Sequence, residues 1–522
     1  VPRINGVKDK NMIEIAQDIV EKAEAAENGE LSSEEMAPGT FSITNLGVIG
    51  GEEFTPIINY PQVAILGIGK IGETAEVVDG EVKPRTTVKL SLSYDHRVVD
   101  GATAARFMND IVVGLDIGTH KICTIVGEVR PDDIYILGVG IEPSRGMKKG
   151  VVNDVQTLVN AIAASAHKAE KTSGYQIRRA FVSVAGSHIA SLTSRGMAPI
   201  TGSRGVREDD LDRAMNAARA IAIPHNREVL HVVPRTYTLD GQEGIRYPVG
   251  MHAFRLEVDA HIITASSTSL ANLEQATEGA GIYVDRFILN PLAAGDAVLT
   301  EQEKESGVAV IDIGGGTADI AIYVEGTVWH TAVIPVGGHH FSNDLTYLMH
   351  VPIELAEDVK VTHGHARQRD VSELEKFVIE PFGDGMPQEV ARSDVAMVLE
   401  ARAVELFELV QKEIKRSGYD GLLRAGAVIT GGSSQIPGLV DVASDVLRTP
   451  VRVGRPERIT GMADSLKNPA YSTSVGLLRM GLDFDIGALD EDLPASNGSG
   501  AGSIGTALGN FFRRLLPDDR DE

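Results

Sequence analysis

One short pattern occurs twice in this chain and restricts its fold more than any other feature. "VVGLDIGTHKICTIVGEV" reads as strand, glycine turn, strand, and "VAVIDIGGGTADIAIYVEG" repeats that order far downstream, at residues 308–326. Asp116 pairs with Asp312, and Gly118 with Gly314. A repeat at this separation predicts two similar halves facing each other. A glycine turn between apolar strands lets backbone N–H groups approach a phosphate with no Cβ in the way. A carboxylate at the strand end, Asp116 or Asp312, suits a hydrated Mg2+ held against phosphates. His120 sits in the first turn, where Lys121 adds positive charge, and Thr119 and Thr317 add hydroxyls. Either copy alone reads equally well as an ordinary hairpin. Two copies followed by "VITGGSSQIPG" make a far more specific set.

The chain around these copies is long enough for several domains, at 522 residues. Residues 1–108 form one compositional unit. "NMIEIAQDIVEKAEAAENGELSSEEM" has near-helical apolar spacing, while "GTFSITNLG", "QVAILGIGKI" and "TTVKLSLSYD" are strand-like. Between the two glycine turns, strands surround one clear helix, "REDDLDRAMNAARAIAI". Its early Asp209 and Asp210 suit the positive end of a helix. "AGAVITGGSSQIPGLVDVASDVL" reads as strand, turn, helix. "LDEDLPASNGSGAGSIG" near the end is acidic and then rich in Gly and Ser, the composition of a flexible tether.

A net charge of −24 argues against nucleic acid as a partner, since a polyanion is repelled. Cys123 is the single cysteine, which rules out an intrachain disulfide and fits a reducing cytoplasm. No run is apolar and long enough to span a bilayer, so membrane contact is expected to be peripheral. The start at Val1 suggests a fragment of something longer.

The paired turns with the third glycine turn resemble the actin-like ATPase superfamily. Within it the chain is similar to the bacterial cell-division FtsA family, over about residues 111–522. The stretches that carry this are "GLDIGTHKICTIVGEV", "GMKKGVVNDV", "NREVLHVVPRTYTLDGQEGIRYPVGM", "LEVDAHIITAS", "VIDIGGGTADIAIY", "VIPVGGHHFSNDL" and "AEDVKVTHGHA". The resemblance implies an α/β, actin-like two-domain ATPase fold with an inserted small subdomain. The expected parts are a first domain at 111–192, the insert at 193–264, a second domain with its own inserted subdomain at 265–469, and a return to the first domain at 470–485. It implies ATP and Mg2+ between the halves. Gly118, Thr119, His120 and Lys121 would meet phosphate, as would Gly314, Gly315, Gly316 and Thr317. Gly431, Gly432 and Ser433 would meet the adenosine, together with Glu357 and Lys360. From spacing alone, those last two read equally as a surface ion pair on a helix. Asn290 stands where some relatives carry Glu. Asn orients water but accepts no proton, so ATP binding with slow hydrolysis is expected, with Asp312 and Asn290 at the reacting end.

The tail "SIGTALGNFFRRLL" places Ile504, Leu508, Phe511 and Leu515 on one helical stripe, widened by Phe512 and Leu516. Arg513 and Arg514 favour anionic lipid. The periodicity suits a helix docked on its own domain as well as one lying in a bilayer interface. The tether at 486–502 favours the bilayer for 503–516, with an acidic end at 517–522. FtsA-like proteins share this arrangement. The resemblance further implies self-association into filaments, other division proteins as partners, and FtsZ as the direct one. It implies a place on the cytoplasmic side of the membrane at the septum.

Ahead of all this stands "DHRVVDG", where His96 and Asp100 suit acyl transfer from a thioester and Thr44 of "FSITNLG" suits an oxyanion donor. With "GTFSITNLGVIGGEEFTPIINYPQVAILGIGKI", residues 1–110 resemble the carboxy-terminal half of the acyltransferase catalytic domain of 2-oxo acid dehydrogenase complexes. That family has a chloramphenicol-acetyltransferase-like α/β fold. In it the histidine and the hydroxyl face each other across a trimer interface. Half a domain lacks part of the substrate channel, so no catalysis is expected here. "MNDI" belongs equally to the end of one pattern and the start of the other, which suggests two sequences joined through a short shared stretch. Two rival functions remain at this point, a working acyltransferase and an actin-fold kinase. A chaperone ATPase is disfavoured, because no β-rich substrate domain follows.

Overall fold

A computed structural model describes residues 2–4, 12–32, 36, 39–47, 51, 53–78, 81–99, 111–129, 133–200, 205–221, 223–380 and 387–488. The chain divides into two compact units, Val1–Asp110 and Ile111–Glu522.

In the first unit the helix Met12–Glu27 precedes a three-stranded sheet. Ser42–Asn45 runs parallel to Ala64–Val78, which pairs antiparallel with Glu81–Tyr94. Period-two alternation in "TTVKLSLSY" should leave one face to cover, yet little covers it. Among this unit's residues whose burial is described, Ile65 is the one buried Val, Leu, Ile, Met or Phe. Ile57 and Tyr60 are about nine-tenths exposed.

The second unit contains the repeat as two sheets of matching topology. In one, Ile111–Ile117 pairs antiparallel with Lys121–Val129 and parallel with Arg179–Val184. In the other, Val308–Ile313 pairs antiparallel with Ala318–Val324 and parallel with Ala427–Thr430. Both leading strands are buried almost throughout, so their sequences are continuous apolar runs rather than alternating ones. Asp116 and Asp312 are the carboxylates in those runs, each at the carboxyl end of its strand. Open α/β sheets bind ligands at that edge.

Between the sheets, helices Asn290–Val298 and Ser472–Ala488 pack closely. A Cβ on Gly476 would collide with the Ala293 carbonyl. Around them, Val112, Phe181, Val310, Tyr323, Leu292 and Leu477 form a core that draws on both halves. The insert is a separate four-stranded antiparallel sheet, ordered Ala190–Pro199, Arg255–Ser266, Arg227–Leu239, Gln242–Ile245. Helix Glu208–Arg219 buries Ala214, Met215 and Ala218 against it. Asp209 and Asp210 lie in that helix's first turn, and Asp210 accepts the Arg207 N–H at 2.8 Å.

No described helix is long and apolar enough to cross a membrane. Asp100 of the acyltransferase-like motif, most of the expected tether at 486–502, the expected amphipathic helix at 503–516 and the acidic end at 517–522 all lie outside the described residues.

Candidate functional site

The two glycine turns close in the same way. The Gly118 N–H donates to the Lys121 carbonyl at 3.0 Å, and the Gly314 N–H donates to the Thr317 carbonyl at 2.9 Å. They also meet: a Cβ on Gly316 would lie 2.9 Å from Thr119 Oγ1. Thr119 Oγ1 accepts the Gly150 N–H at 3.2 Å, tying the first turn to the "GMKKG" loop. The third turn joins them through Ser433, whose hydroxyl donates to the Gly314 carbonyl at 3.2 Å. Gly431 has φ 84°, a left-handed conformation, and a Cβ there would strike Asp312 Oδ1. These turns line one cavity of about 500 Å3, within the range of small-ligand sites.

Asp116 and Asp312 face this cavity, one from each half. Asp116 accepts from Ser183 Oγ at 2.9 Å and from Ser474 Oγ at 2.7 Å. Asp312 accepts from Thr473 Oγ1 at 2.7 Å. Burial pushes the Asp312 carboxyl up to about 6, against the opposing pull of the Thr473 hydroxyl. Lys121 is shifted below its usual range by burial, although Asp116, Cys123 and Asp312 pull the other way. Its ammonium reaches the Ala470 carbonyl and lies 3.7 Å from the centre of the Tyr471 ring. Cys123 is fully buried, and burial pushes its thiol up to about 12, which makes it an inert core residue.

Glu357 and Lys360 line the same cavity. Their ion pair measures 2.7 Å, and Lys360 is buried, so this is no surface pair. Lys360 also donates to the Gly338 carbonyl at 3.2 Å and to Ser342 Oγ at 3.0 Å. Burial alone would raise Glu357, but Lys360 and Ser342 bring it below the usual carboxylate range. Asn290, at the start of its helix, also lines the cavity, and its Oδ1 is buried without a partner.

Several lining residues lie outside the expected set. Asp319 is the most telling, because it is buried with Oδ1 unpartnered and Oδ2 accepting from Thr317 Oγ1 at 3.0 Å. Burial and the nearby Asp312 push it up to about 8. His339 and His120 both line the cavity, with ring centres 5.8 Å apart. Burial, and then His120, hold His339 below the usual histidine range. Phosphates and a hydrated divalent cation fit this set. Asp116 and Asp312 supply hard oxygen donors, the Asn290 and Asp319 Oδ1 atoms lack partners, and a Cβ on Gly315 or Gly316 would crowd the facing turn.

The first unit gives a different picture. The Asp95 carboxylate accepts from the Arg97 N–H at 3.0 Å and from its guanidinium at 2.6 Å, which together hold Asp95 down at about 2. That turn presents His96 to solvent beside Tyr94, with ring centres 5.6 Å apart. Thr44 lies opposite Gly67, and Gly67 opposite Ser91. Thr44 and His96 are thus two strands and several residues apart, roughly 15 Å by sheet spacings.

Three family models match the chain. The 2-oxoacid dehydrogenases acyltransferase catalytic domain matches residues 1–117, the SHS2 domain inserted in FTSA matches 186–264, and cell division protein FtsA matches 309–476. FtsA of Pseudomonas aeruginosa is 43% identical over 373 residues, covering 71% of this chain and 89% of that protein. FtsA of Escherichia coli K12 is 39% identical over 400 residues, covering 74% and 95%. The solved PilM–PilN type IV pilus biogenesis complex shares the fold, with a TM-score of 0.52 at 15% identity over 71% of this chain and 98% of that one.

Proposed function

The chain belongs to the FtsA family of cell-division proteins, and on that footing we propose that it binds ATP and Mg2+ between its halves, polymerises, and ties FtsZ to the membrane. The observation that carries the nucleotide reading is the meeting of two equivalent glycine turns, with Asp116 and Asp312, around one cavity, while family membership supports the rest.

Backbone N–H groups of the Gly118–Lys121 and Gly314–Thr317 turns bind the phosphates, and Lys121 adds charge. Asp116 and Asp312 would hold a hydrated cation, with Asp319 beside them. Bound Mg2+ neutralises phosphate charge. Glu357, Lys360 and the Gly431-Gly432-Ser433 turn face the adenosine. Asn290 orients a water without accepting its proton, so hydrolysis is slow. A nucleotide touching both turns favours the closed cleft, and closure favours filaments. The tail lays Ile504, Leu508, Phe511, Phe512, Leu515 and Leu516 in the bilayer, with Arg513 and Arg514 against anionic headgroups. FtsZ docks on the subdomain inserted in the second half, on the cytoplasmic side of the membrane at the septum, among other division proteins.

Co-sedimentation with anionic liposomes tests this reading. The full chain with ATP and Mg2+ should carry FtsZ into the pellet, and deletion of residues 503–522 should leave both proteins in solution. Unchanged sedimentation after that deletion would sink the membrane role.

A further inference from the structure

Three consecutive hydroxyl residues open the helix Ser472–Ala488, and each goes to a different strand. Ser472 Oγ lies 2.6 Å from Thr430 Oγ1. Thr473 donates to Asp312 Oδ2, and Ser474 donates to Asp116 Oδ2, both at 2.7 Å. All three are buried. Successive helix residues point about 100° apart, so a single turn wedged between two sheets reaches both. The helix itself has little freedom to slide, because Gly476 abuts the Ala293 carbonyl and Gly481 abuts Phe181.

We propose that Thr473 and Ser474 are positioning residues that fix the orientation and separation of Asp116 and Asp312 for a hydrated divalent cation. This rests on the nucleotide reading given above. A carboxylate rotates freely unless something holds one of its oxygens. Thr473 holds one oxygen of Asp312, and Ser474 holds one oxygen of Asp116, whose other oxygen Ser183 holds. A neutral donor fixes the carboxylate without cancelling its charge, which a lysine in the same place would do. Because the two donors are neighbours on one helix, they tie a carboxylate of each half to a single rigid body. Partners of this kind, behind the groups that face a metal, typically change its affinity 10–100-fold when removed.

A merely structural role predicts something different. Hydroxyls that only satisfy buried carboxylates affect folding, and would weaken nucleotide binding equally with and without the cation. The test is a titration of the full chain with a fluorescent ATP analogue, in EDTA and across a Mg2+ series. Thermal melts check that each variant folds. Thr473→Val should raise the Mg2+ needed for half-maximal tightening by about 10-fold, with affinity in EDTA changed less than about 2-fold. Ser474→Ala should act in the same direction but more weakly, because Ser183 still holds Asp116 Oδ1, and Thr473→Ser should restore the wild-type requirement. A Mg2+ requirement unchanged in both Thr473→Val and Ser474→Ala overturns the proposal, as does an equal loss with and without Mg2+. If Thr473→Val does not fold, Ser474→Ala decides by the same split. Failure of the wild-type chain to bind the analogue at all would instead overturn the nucleotide reading.

Discussion

The unit Val1–Asp110 has its most suggestive residues within one short motif, whereas the unit Ile111–Glu522 has them scattered over hundreds of positions. In the first, "DHRVVDG" is complete in the sequence, yet Asp95 and Arg97 spend their hydrogen bonds on shaping a turn that leaves His96 exposed. Among the residues whose burial is described, Ile65 is the single large aliphatic buried there. In the second, Asp116, Asp312, Lys360 and Ser433 line one cavity because two sheets and a shared core bring them there. A dense motif marks ancestry, whereas a site requires a core that holds its residues together.

If the shared core creates the site, damaging it should have the largest effect. Gly476→Val places methyl groups into the Ala293 carbonyl and should destabilise the second unit by about 3 kcal/mol or more, read by thermal unfolding. Next comes the site itself. Asp312→Ala should weaken ATP-analogue binding in Mg2+ by about 100-fold, whereas His96→Ala should leave it within about 2-fold. A reversed result would break the contrast between the units.

A smaller effect is expected from pH. Folded Asp312 and Asp319 keep their protons up to about 6 and about 8, whereas the ordinary aspartate value is 3.8. Between about pH 4 and 8 the folded state therefore holds more protons than the unfolded one. These two groups thus contribute stability that is full below that window and is lost as pH rises through it. Asp319→Asn should flatten the fall in melting temperature over that range in protein free of nucleotide. An identical slope in the variant would place the Asp319 titration elsewhere. The smallest effect belongs to the first unit. No acetyl transfer from acetyl-CoA to dihydrolipoamide is expected, and any turnover abolished by His96→Ala would show that a site forms there after all.

The sequence disclosed the repeat, and with it the two-halved fold, because buried central strands are continuous apolar runs that a single aspartate interrupts conspicuously. The turns were legible for a similar reason, since glycine clusters have few other uses between strands. Asp319 was not legible, because "ADIAIYV" reads as a strand and nothing local says that its carboxyl faces a cavity. Thr473 and Ser474 were hidden in "YSTSVGLL", which reads as an unremarkable helix start. Their roles depend on Asp312 and Asp116, which are long-range partners that no periodicity encodes. Ser183, which donates to Asp116, is hidden for the same reason. Glu357 and Lys360 have ion-pair spacing, and only burial distinguishes them from a surface pair.

The most direct test is to locate the nucleotide. The structure of the full chain should be solved with a non-hydrolysable ATP analogue and Mg2+ at saturation. Phosphates lying between the Gly118–Lys121 and Gly314–Thr317 turns, with the base beside Glu357 and Lys360, are the expected result. An empty cavity at saturation, or the analogue bound elsewhere on the chain, would contradict the claim that the two halves meet to hold it.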